Sequence, residues 1–180
     1  MKKEWDTIEL LRHARHDWLN KIQLIKGNLS LNKMDRVKEI IDEIVVETRQ
    51  ESILSNLNIP QFATLLLTYN WESHSIHLEY EIVGEPNLSS GHLVKDDVLT
   101  NWTNTFLEEL DQVIKAFHEN HLSVTIERQE TGIGFFFDFR GIITNIEHIE
   151  RFLQQQSIVA KTVHELSEHE LSIEVFMPYQ

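Results

Sequence analysis

An apolar repeat near the N-terminus constrains the fold of this chain more than any other feature. Its members recur at spacings of 3, 7, 4, 3 and 4 residues: Ile8, Leu11, Trp18, Ile22, Ile25 and Leu29. On a helix these positions fall within roughly 60° of one direction, so the segment is predicted to be an amphipathic helix. His16 points about 130° away from the centre of this stripe. We therefore expect its imidazole to face solvent.

Residues 1–57 are predicted to form a helical hairpin. The first helix begins near Thr7 and is expected to end around Gly27 and Asn28, since glycine and asparagine commonly stop helices. A second helix from about Asp35 carries its own apolar repeat: Val37, Ile40, Ile41, Ile44 and Val45. Two helices cannot bury both stripes against each other alone. We therefore expect two copies of the chain to pair into a four-helix bundle.

Residues 58–180 are predicted to form a second domain, beginning where Pro60 interrupts the helical pattern. The patterns predict helices over 62–69, 96–117 and 146–153, and a hairpin turn over 131–134. Strands are predicted over 76–82, 122–127, 135–139, 158–164 and 171–176. The expected fold class is α+β, with a helical hairpin followed by an α/β sandwich whose helices cover one face of the sheet.

Composition excludes several classes of function. The chain has 16 basic and 29 acidic side chains, a formal net charge of −13, which argues against a general nucleic-acid-binding protein. Without cysteine there are no disulfides, thiol nucleophiles or thiolate metal sites. No apolar run reaches the length of a membrane span, and the first residues do not lead into a signal-peptide core. A soluble, cytoplasmic protein without membrane contact is expected.

The helix around His16 departs from this acidic balance. Between Leu10 and Leu29 the basic residues are Arg12, Arg15, Lys21 and Lys26, and the only acidic residue is Asp17. A basic helix on an acidic protein indicates an acidic partner or a phosphorylated group at that surface.

His16 is the candidate reactive residue. An exposed imidazole beside a carboxylate (Asp17) and an amide one turn on (Asn20) has the surroundings that histidine phosphorylation requires. A metal site is not expected, because His13 and His16 have no evident third ligand. His164 and His169 are five residues apart, which places them roughly 140° apart on a helix.

The run from Arg15 to Leu31 (Arg-His-Asp-Trp-Leu-Asn-Lys-Ile-Gln and the residues after it) resembles the phosphoacceptor helix of the sporulation-type sensor kinase family. Similar pieces follow in order at 55–57, 70–71 and 78–81. The resemblance implies a dimeric four-helix bundle with a histidine-kinase-like α/β domain on each protomer. It also implies a phosphorelay phosphotransferase in the initiation of sporulation. His16 would carry a phosphoryl group from a phosphorylated single-domain response regulator to a transcription-factor response regulator.

The hypothesis of phosphoryl transfer through His16 also gives roles to its neighbours. Asp17 would orient the imidazole, and Asn20 would bond the phosphoryl oxygens or position the regulator. The expected regulator-binding residues are Arg12, Arg15, Leu19, Lys21 and Gln23. No intrinsic cofactor is expected, because magnesium would arrive with the response regulator.

The second domain lacks most of the equipment with which related kinases bind ATP. Gln112 stands where those kinases have a metal-binding asparagine, Asp138–Gly141 is a degenerate glycine box, and the chain has six glycines. Without glycine-rich loops the phosphates of a nucleotide have no obvious cradle. Two alternatives stay open, an autophosphorylating sensor-type histidine kinase and a non-catalytic helical docking module.

Overall fold

The structure is a computed structural model that describes residues 5–84 and 93–180. It divides into two compact units, one ending at Glu51 and the other beginning at Ser52. The first unit contains helix α1 (Thr7–Ser30) and most of α2 (Met34–Ser55). Helix α1 begins where the carboxylate of Asp6 accepts a hydrogen bond from the backbone N–H of Glu9 at 2.8 Å, satisfying one of the free donors of the first turn.

Helix α1 ends later than predicted, because Gly27 does not stop it. The chain leaves the helix at Asn32, whose φ of 53° lies in the left-handed region. The N–H of Lys33 donates to the carbonyl of Asn28 at 2.9 Å, and that of Asn32 to the carbonyl of Leu29 at 3.0 Å. These two bonds form a Schellman cap. The asparagine that closes the cap therefore decides where the helix ends.

The two helices of the first unit leave their apolar stripes largely uncovered. Helix α1 has no buried residue. Five of its six stripe residues have 44–63% of their surface exposed: Ile8, Leu11, Trp18, Ile22 and Leu29. In α2, Val37 and Ile40 are buried, whereas Ile41 and Val45 are exposed. The expectation that a hairpin alone cannot bury both stripes is confirmed.

Within residues 52–84 and 93–180, the second unit has a five-stranded mixed sheet and three helices of its own. Its elements in chain order are α3 (Pro60–Tyr69), β1 (His77–Val83), α4 (Asp96–Val113), β2 (His121–Arg128), β3 (Gly132–Arg140), α5 (Ile146–Gln154), β4 (Ala160–Leu166) and β5 (Glu170–Pro178). The strand order is β1-β2-β3-β5-β4. Strands β1 and β2 are parallel, and the other neighbours are antiparallel.

The helices cover one face of this sheet, as predicted. Alternate residues of β2 and β3 are buried on that face: Leu122, Val124, Ile126, Ile133, Phe135, Phe137 and Phe139. The ring of Phe62 on α3 packs on Phe135 at 5.0 Å between centroids, and Phe106 on α4 packs on Phe137 at 5.6 Å. The α+β fold class expected from the sequence, a helical hairpin followed by an α/β domain, is confirmed.

Helix α4 was predicted to reach Phe117 but ends at Val113. Ile114 takes an extended conformation and bridges to Ile143. The side chain of Asn120, which is 2% exposed, then holds the connection by donating to the carbonyls of Lys115 and His118 at 3.0 and 3.2 Å. The apolar pattern that favoured a longer helix continues into a loop because this buried amide binds the loop backbone.

All five strands are found, with boundaries that differ from the prediction by one to three residues. The turn between β2 and β3 lies at 129–131, and Gly132 and Gly134 belong to β3. A Cβ at Gly132 would lie 2.3 Å from the carbonyl oxygen of Met177, so packing against β5 requires this glycine. Strand β4 begins at Ala160, two residues later than expected, and has an irregular register between Val163 and Glu165.

Candidate functional site

His16 lies in the middle of α1 with its side chain 71% exposed. The predicted exposure of the imidazole is confirmed. Four exposed residues lie within roughly 60° of His16 on the helix: Arg12, Leu19, Asn20 and Gln23. They form a continuous surface along α1 with the imidazole at its centre. Arg15 is also exposed and lies about 100° away, on the side opposite Asp17.

Both predicted partners of His16 lie beside the same ring nitrogen. The side-chain amide nitrogen of Asn20 is 3.2 Å from Nδ1 of His16, and Oδ1 of Asp17 is 3.7 Å from Nδ1. Within residues 5–84 and 93–180, no hydrogen bond joins Nε2 of His16 to another residue. The ring therefore has one nitrogen held by its own helix and one open to an incoming group.

The contact with Asn20 can select the imidazole tautomer. Rotating the Asn20 amide by half a turn exchanges its oxygen and nitrogen without moving the rest of the side chain. With the oxygen toward the ring, Nδ1–H of His16 donates to Asn20, and Nε2 keeps its lone pair. The carboxylate of Asp17 favours the same tautomer, because it attracts the Nδ1 proton. In the structure the amide nitrogen of Asn20 faces Nδ1, and Nε2 becomes the nucleophilic atom once the amide takes the turned orientation.

Lys21 has a different setting from the other expected docking residues. Its Nζ lies 2.6 Å from Oε2 of Glu47 on α2 and 5.6 Å from the centre of the Trp18 ring. Lys21 is thus paired across the hairpin, whereas Arg12 and Arg15 are exposed on α1. Sequence analysis did not identify Glu47 as a partner of this site.

Glu51, one turn beyond Glu47 on α2, also belongs to these electrostatic surroundings. Partial burial raises the pKa of the Glu51 carboxyl, and the nearby charges of Glu47 and Asp17 raise it further. The Lys21 ammonium acts in the opposite direction and lowers the pKa of Glu51. The side of the hairpin next to His16 therefore gathers three carboxylates around one lysine. Glu47 and Glu51 are four residues apart, a spacing from which their common face could have been predicted.

The residues singled out for their likeness to kinase nucleotide boxes have different settings in the second unit. Phe139 is buried in the core, and Asp138 is half-buried beside Arg140, whose Nε is 3.5 Å from its carboxylate. A Cβ at Gly141 would lie 2.4 Å from Oδ1 of Asn120. Gln112 is exposed in the last turn of α4. The glycine of this segment is thus required by its contact with a buried asparagine.

The described part of the chain gives no cluster of three or more histidine, aspartate or glutamate side chains arranged to hold a metal ion. In the same residues, no helix has both the length and the apolar character needed to cross a membrane.

Solved structures with a similar course of the chain include histidine kinases and a phosphotransferase. The catalytic domain of histidine kinase ThkA is 11% identical, with a TM-score of 0.43 over 68% of this chain and 90% of that one. The histidine kinase AdeS of Acinetobacter baumannii is 10% identical, with a TM-score of 0.39 over 91% and 97% of the two chains. A bacterial phosphotransferase is 11% identical, with a TM-score of 0.39 over 96% and 98%.

The family assignment rests on sequence. Residues 1–57 match the family model of the sensor kinase SpoOB-type alpha-helical domain, and residues 58–178 match that of the C-terminal domain of sporulation initiation phosphotransferase B. Sporulation initiation phosphotransferase B of Bacillus subtilis (strain 168) is 38% identical over 173 residues, which are 94% of this chain and 88% of that protein. This chain therefore belongs to the sporulation initiation phosphotransferase B family.

Proposed function

We propose that this chain relays phosphoryl groups through His16, taking them from an aspartyl phosphate of one response regulator and passing them to an aspartate of a second. Family membership gives the class of the activity, since the chain is a phosphotransferase of the sporulation phosphorelay. The observation that carries the assignment to His16 is the state of its ring, with Nδ1 next to Asn20 at 3.2 Å and Nε2 open to solvent.

The transfer uses the free lone pair of Nε2. This atom attacks the phosphorus of the donor's acyl phosphate, an Nε2–P bond forms, and the donor's carboxylate leaves with the bonding electron pair. The ring keeps its Nδ1 proton and becomes cationic, and the carboxylate of Asp17, 3.7 Å from Nδ1, stabilises that charge. In the second step a carboxylate of the acceptor regulator attacks phosphorus, the Nε2–P bond breaks, and neutral His16 is restored.

The surface around His16 suits the docking of a response regulator. The exposed guanidinium groups of Arg12 and Arg15 would attract the acidic rim of a regulator's active site, while Leu19 and Gln23 would contact it beside the imidazole. The donor is a phosphorylated single-domain regulator and the acceptor is a transcription-factor regulator. Magnesium enters with the regulator, where it neutralises charge on the transferred group.

The uncovered apolar residues of the hairpin support a homodimer. The exposed side chains of α1 and α2 include Leu11, Trp18, Ile22, Ile41 and Val45. Pairing two hairpins would bury these stripes in a four-helix bundle, because apolar area removed from water contributes about 25 cal/mol per Å². The dimer works in the cytoplasm, where response regulators are phosphorylated.

The proposal is tested by following labelled phosphate in the absence of ATP. The purified chain is mixed with a radiolabelled phosphorylated response regulator, and the label is tracked in the wild type, His16→Gln and His118→Gln. His118 is exposed in the second unit and serves as the control. We expect acid-labile, alkali-stable label on the wild type and on His118→Gln, and none on His16→Gln. The dimer and the circular dichroism of His16→Gln should be unchanged, because an exposed side chain contributes little to packing.

Other outcomes would contradict the proposal in distinguishable ways. Label acquired from ATP alone would identify an autophosphorylating kinase. A dimer that binds the regulator without accepting label would identify a docking module. Loss of the folded dimer in His16→Gln would assign His16 a structural role.

The role of Asn20 beside His16 is tested separately, by the rate of phosphoryl transfer. Replacing Asn20 with alanine removes the group next to Nδ1, and we expect transfer to slow about tenfold, the equivalent of one hydrogen bond of about 1.4 kcal/mol. Asn28→Ala is a matched control on the same helix, because its amide donates to the carbonyl of Leu24 and lies away from His16. Equal rates in the two variants would remove Asn20 from the site.

A further inference from the structure

The second unit contains a pocket of about 370 Å³ that the phosphoryl relay does not use. It lies between the last turn of α2 and the carboxyl-terminal ends of β1 and β2. Its apolar wall consists of Ile53, Leu57, Ile82 and Val83. The volume falls in the range of roughly 300–1,000 Å³ that is typical of small-molecule sites.

Arg128, the last residue of β2, brings a positive charge to this wall. Its Nε is shielded from solvent and has no hydrogen-bond acceptor. No ion pair joins Arg128 to any carboxylate in residues 5–84 and 93–180. Arg140 at the other end of the neighbouring strand shows the contrast, because it is exposed and has carboxylate oxygens of Asp138 and Glu170 at 3.5 and 3.9 Å.

An unpaired guanidinium in a partly apolar pocket requires an explanation. A shielded N–H without an acceptor costs free energy, because the water that solvated it in the unfolded chain is lost. The chain offers 29 acidic side chains, yet none in the described residues pairs with this arginine. A bound anion would supply the missing acceptor.

The lining also defines the chemistry of that anion. Arginine presents its N–H groups in a planar fork that matches the two oxygens of a carboxylate. Among the described residues that line the pocket, Arg128 is the single cation, and this favours a monoanion over the dianion of a phosphate ester. The side chains of Ile53, Leu57, Ile82 and Val83 would accommodate a hydrocarbon tail next to the charged group.

We propose that this pocket binds a small aliphatic carboxylic acid, with its carboxylate on Arg128 and its chain against the apolar wall formed by Ile53, Leu57, Ile82 and Val83. The site lies wholly within the second unit, and its ligand takes no part in the chemistry of His16. The proposal is therefore independent of the phosphoryl relay.

Octanoate is a suitable probe, titrated into the full-length chain and followed by methyl NMR and by calorimetry. We expect the methyl signals of Ile53, Leu57, Ile82 and Val83 to shift together. The Kd should rise at least tenfold in Arg128→Gln and stay unchanged in Arg140→Gln. Arg128→Lys keeps the charge but loses the planar fork, so its Kd should lie between those of the wild type and Arg128→Gln. This variant also controls for misfolding of Arg128→Gln.

Two further ligands separate the contributions of charge and chain. Octanol has the tail without the anion, and octyl phosphate has the same tail with a dianionic group. If octanol and octyl phosphate both bind more weakly than octanoate, the result would support a carboxylate site. Octanol binding as tightly as octanoate, or no methyl shift with octanoate, would overturn the proposal.

Discussion

Nζ of Lys21 on α1 lies 2.6 Å from Oε2 of Glu47 on α2, a contact between residues 26 positions apart that joins the two helices of the hairpin. Lys21 is mostly shielded, with 26% of its side chain exposed, while Glu47 is about half exposed. Lys21 follows His16 by five residues, which places its side chain about 140° away around α1. Lys21 therefore has a place within the hairpin as well as its expected role in binding a regulator.

We expect this pair to contribute a modest coupling energy. A double-mutant cycle with Lys21→Met and Glu47→Gln should give about 0.2–1 kcal/mol, because solvent screening limits a partly exposed ion pair. The measurement is urea unfolding of the two single variants and the double variant. Glu43→Gln, whose partner is Arg36 on the same helix, is the control and should show no coupling to Lys21→Met. A coupling energy of zero for Lys21 with Glu47 would mean that the contact does not persist in solution.

Glu51 should make the stability of the hairpin depend on pH. Partial burial, followed by the charges of Glu47 and Asp17, raises the pKa of Glu51 in the folded state above its unfolded value. Protonated Glu51 therefore contributes its full share of the free energy of unfolding below about pH 4.3, the pKa of glutamate in the unfolded chain. That contribution is lost as the pH rises through the pKa of Glu51 in the folded state. Glu51→Gln should be more stable than the wild type at neutral pH, and the difference should shrink in acid.

Urea unfolding of wild type and Glu51→Gln at a series of pH values measures this effect. Only the difference between the two proteins is informative, because other carboxylates titrate in the same range. Glu43→Gln again serves as the control. A constant difference between Glu51→Gln and the wild type across the series would contradict the raised pKa.

Asn120 should be among the most sensitive polar positions in the second unit. Its buried amide donates to the carbonyls of Ser75, Lys115 and His118, and its oxygen accepts from the N–H of Ile142. Asn120→Ala leaves buried backbone groups without partners and should cost about 1–3 kcal/mol of unfolding free energy. Thermal unfolding would report the loss, whereas Asn101→Ala on the exposed side of α4 should change stability by less than about 0.5 kcal/mol. Similar values for the two variants would show that the Asn120 bonds contribute little.

Two glycines should respond to alanine with opposite signs. At Gly132 a Cβ would meet the Met177 carbonyl oxygen at 2.3 Å, so β3 and β5 must separate, at a cost of about 1–3 kcal/mol. At Gly27, within α1, no atom other than those of its chain neighbours and the backbone of α1 lies within 4 Å of the added carbon. Alanine there should stabilise the chain by up to about 1 kcal/mol, since it restricts the unfolded backbone and favours the helix. Calorimetric Tm values compare the two directly, and a lower Tm for Gly27→Ala would contradict the open helical setting.

Local patterns predicted the elements of the fold well and their ends less well. The spacing of apolar residues located α1, α2, α4 and the alternating strands, because periodicity is a property of consecutive residues. The predicted end of α1 was wrong. The Schellman cap with Asn32 in the left-handed region ends the helix, and Gly27 does not. The glycines at 132 and 134 were assigned to a turn, although Gly132 is required by its close approach to Met177 in another strand.

The exposure of His16 and its setting beside Asp17 and Asn20 could be predicted because all three lie within about one turn of a single helix. The sequence by itself determined this surface, the amphipathic character of the hairpin and the order of helices and strands. Only the tertiary structure decided that Lys21 pairs with Glu47, that Asn120 holds the loop after α4, and that Arg128 lines a partly apolar pocket. Those contacts join residues far apart in the chain, and their distances depend on how whole elements pack rather than on the period of any one of them.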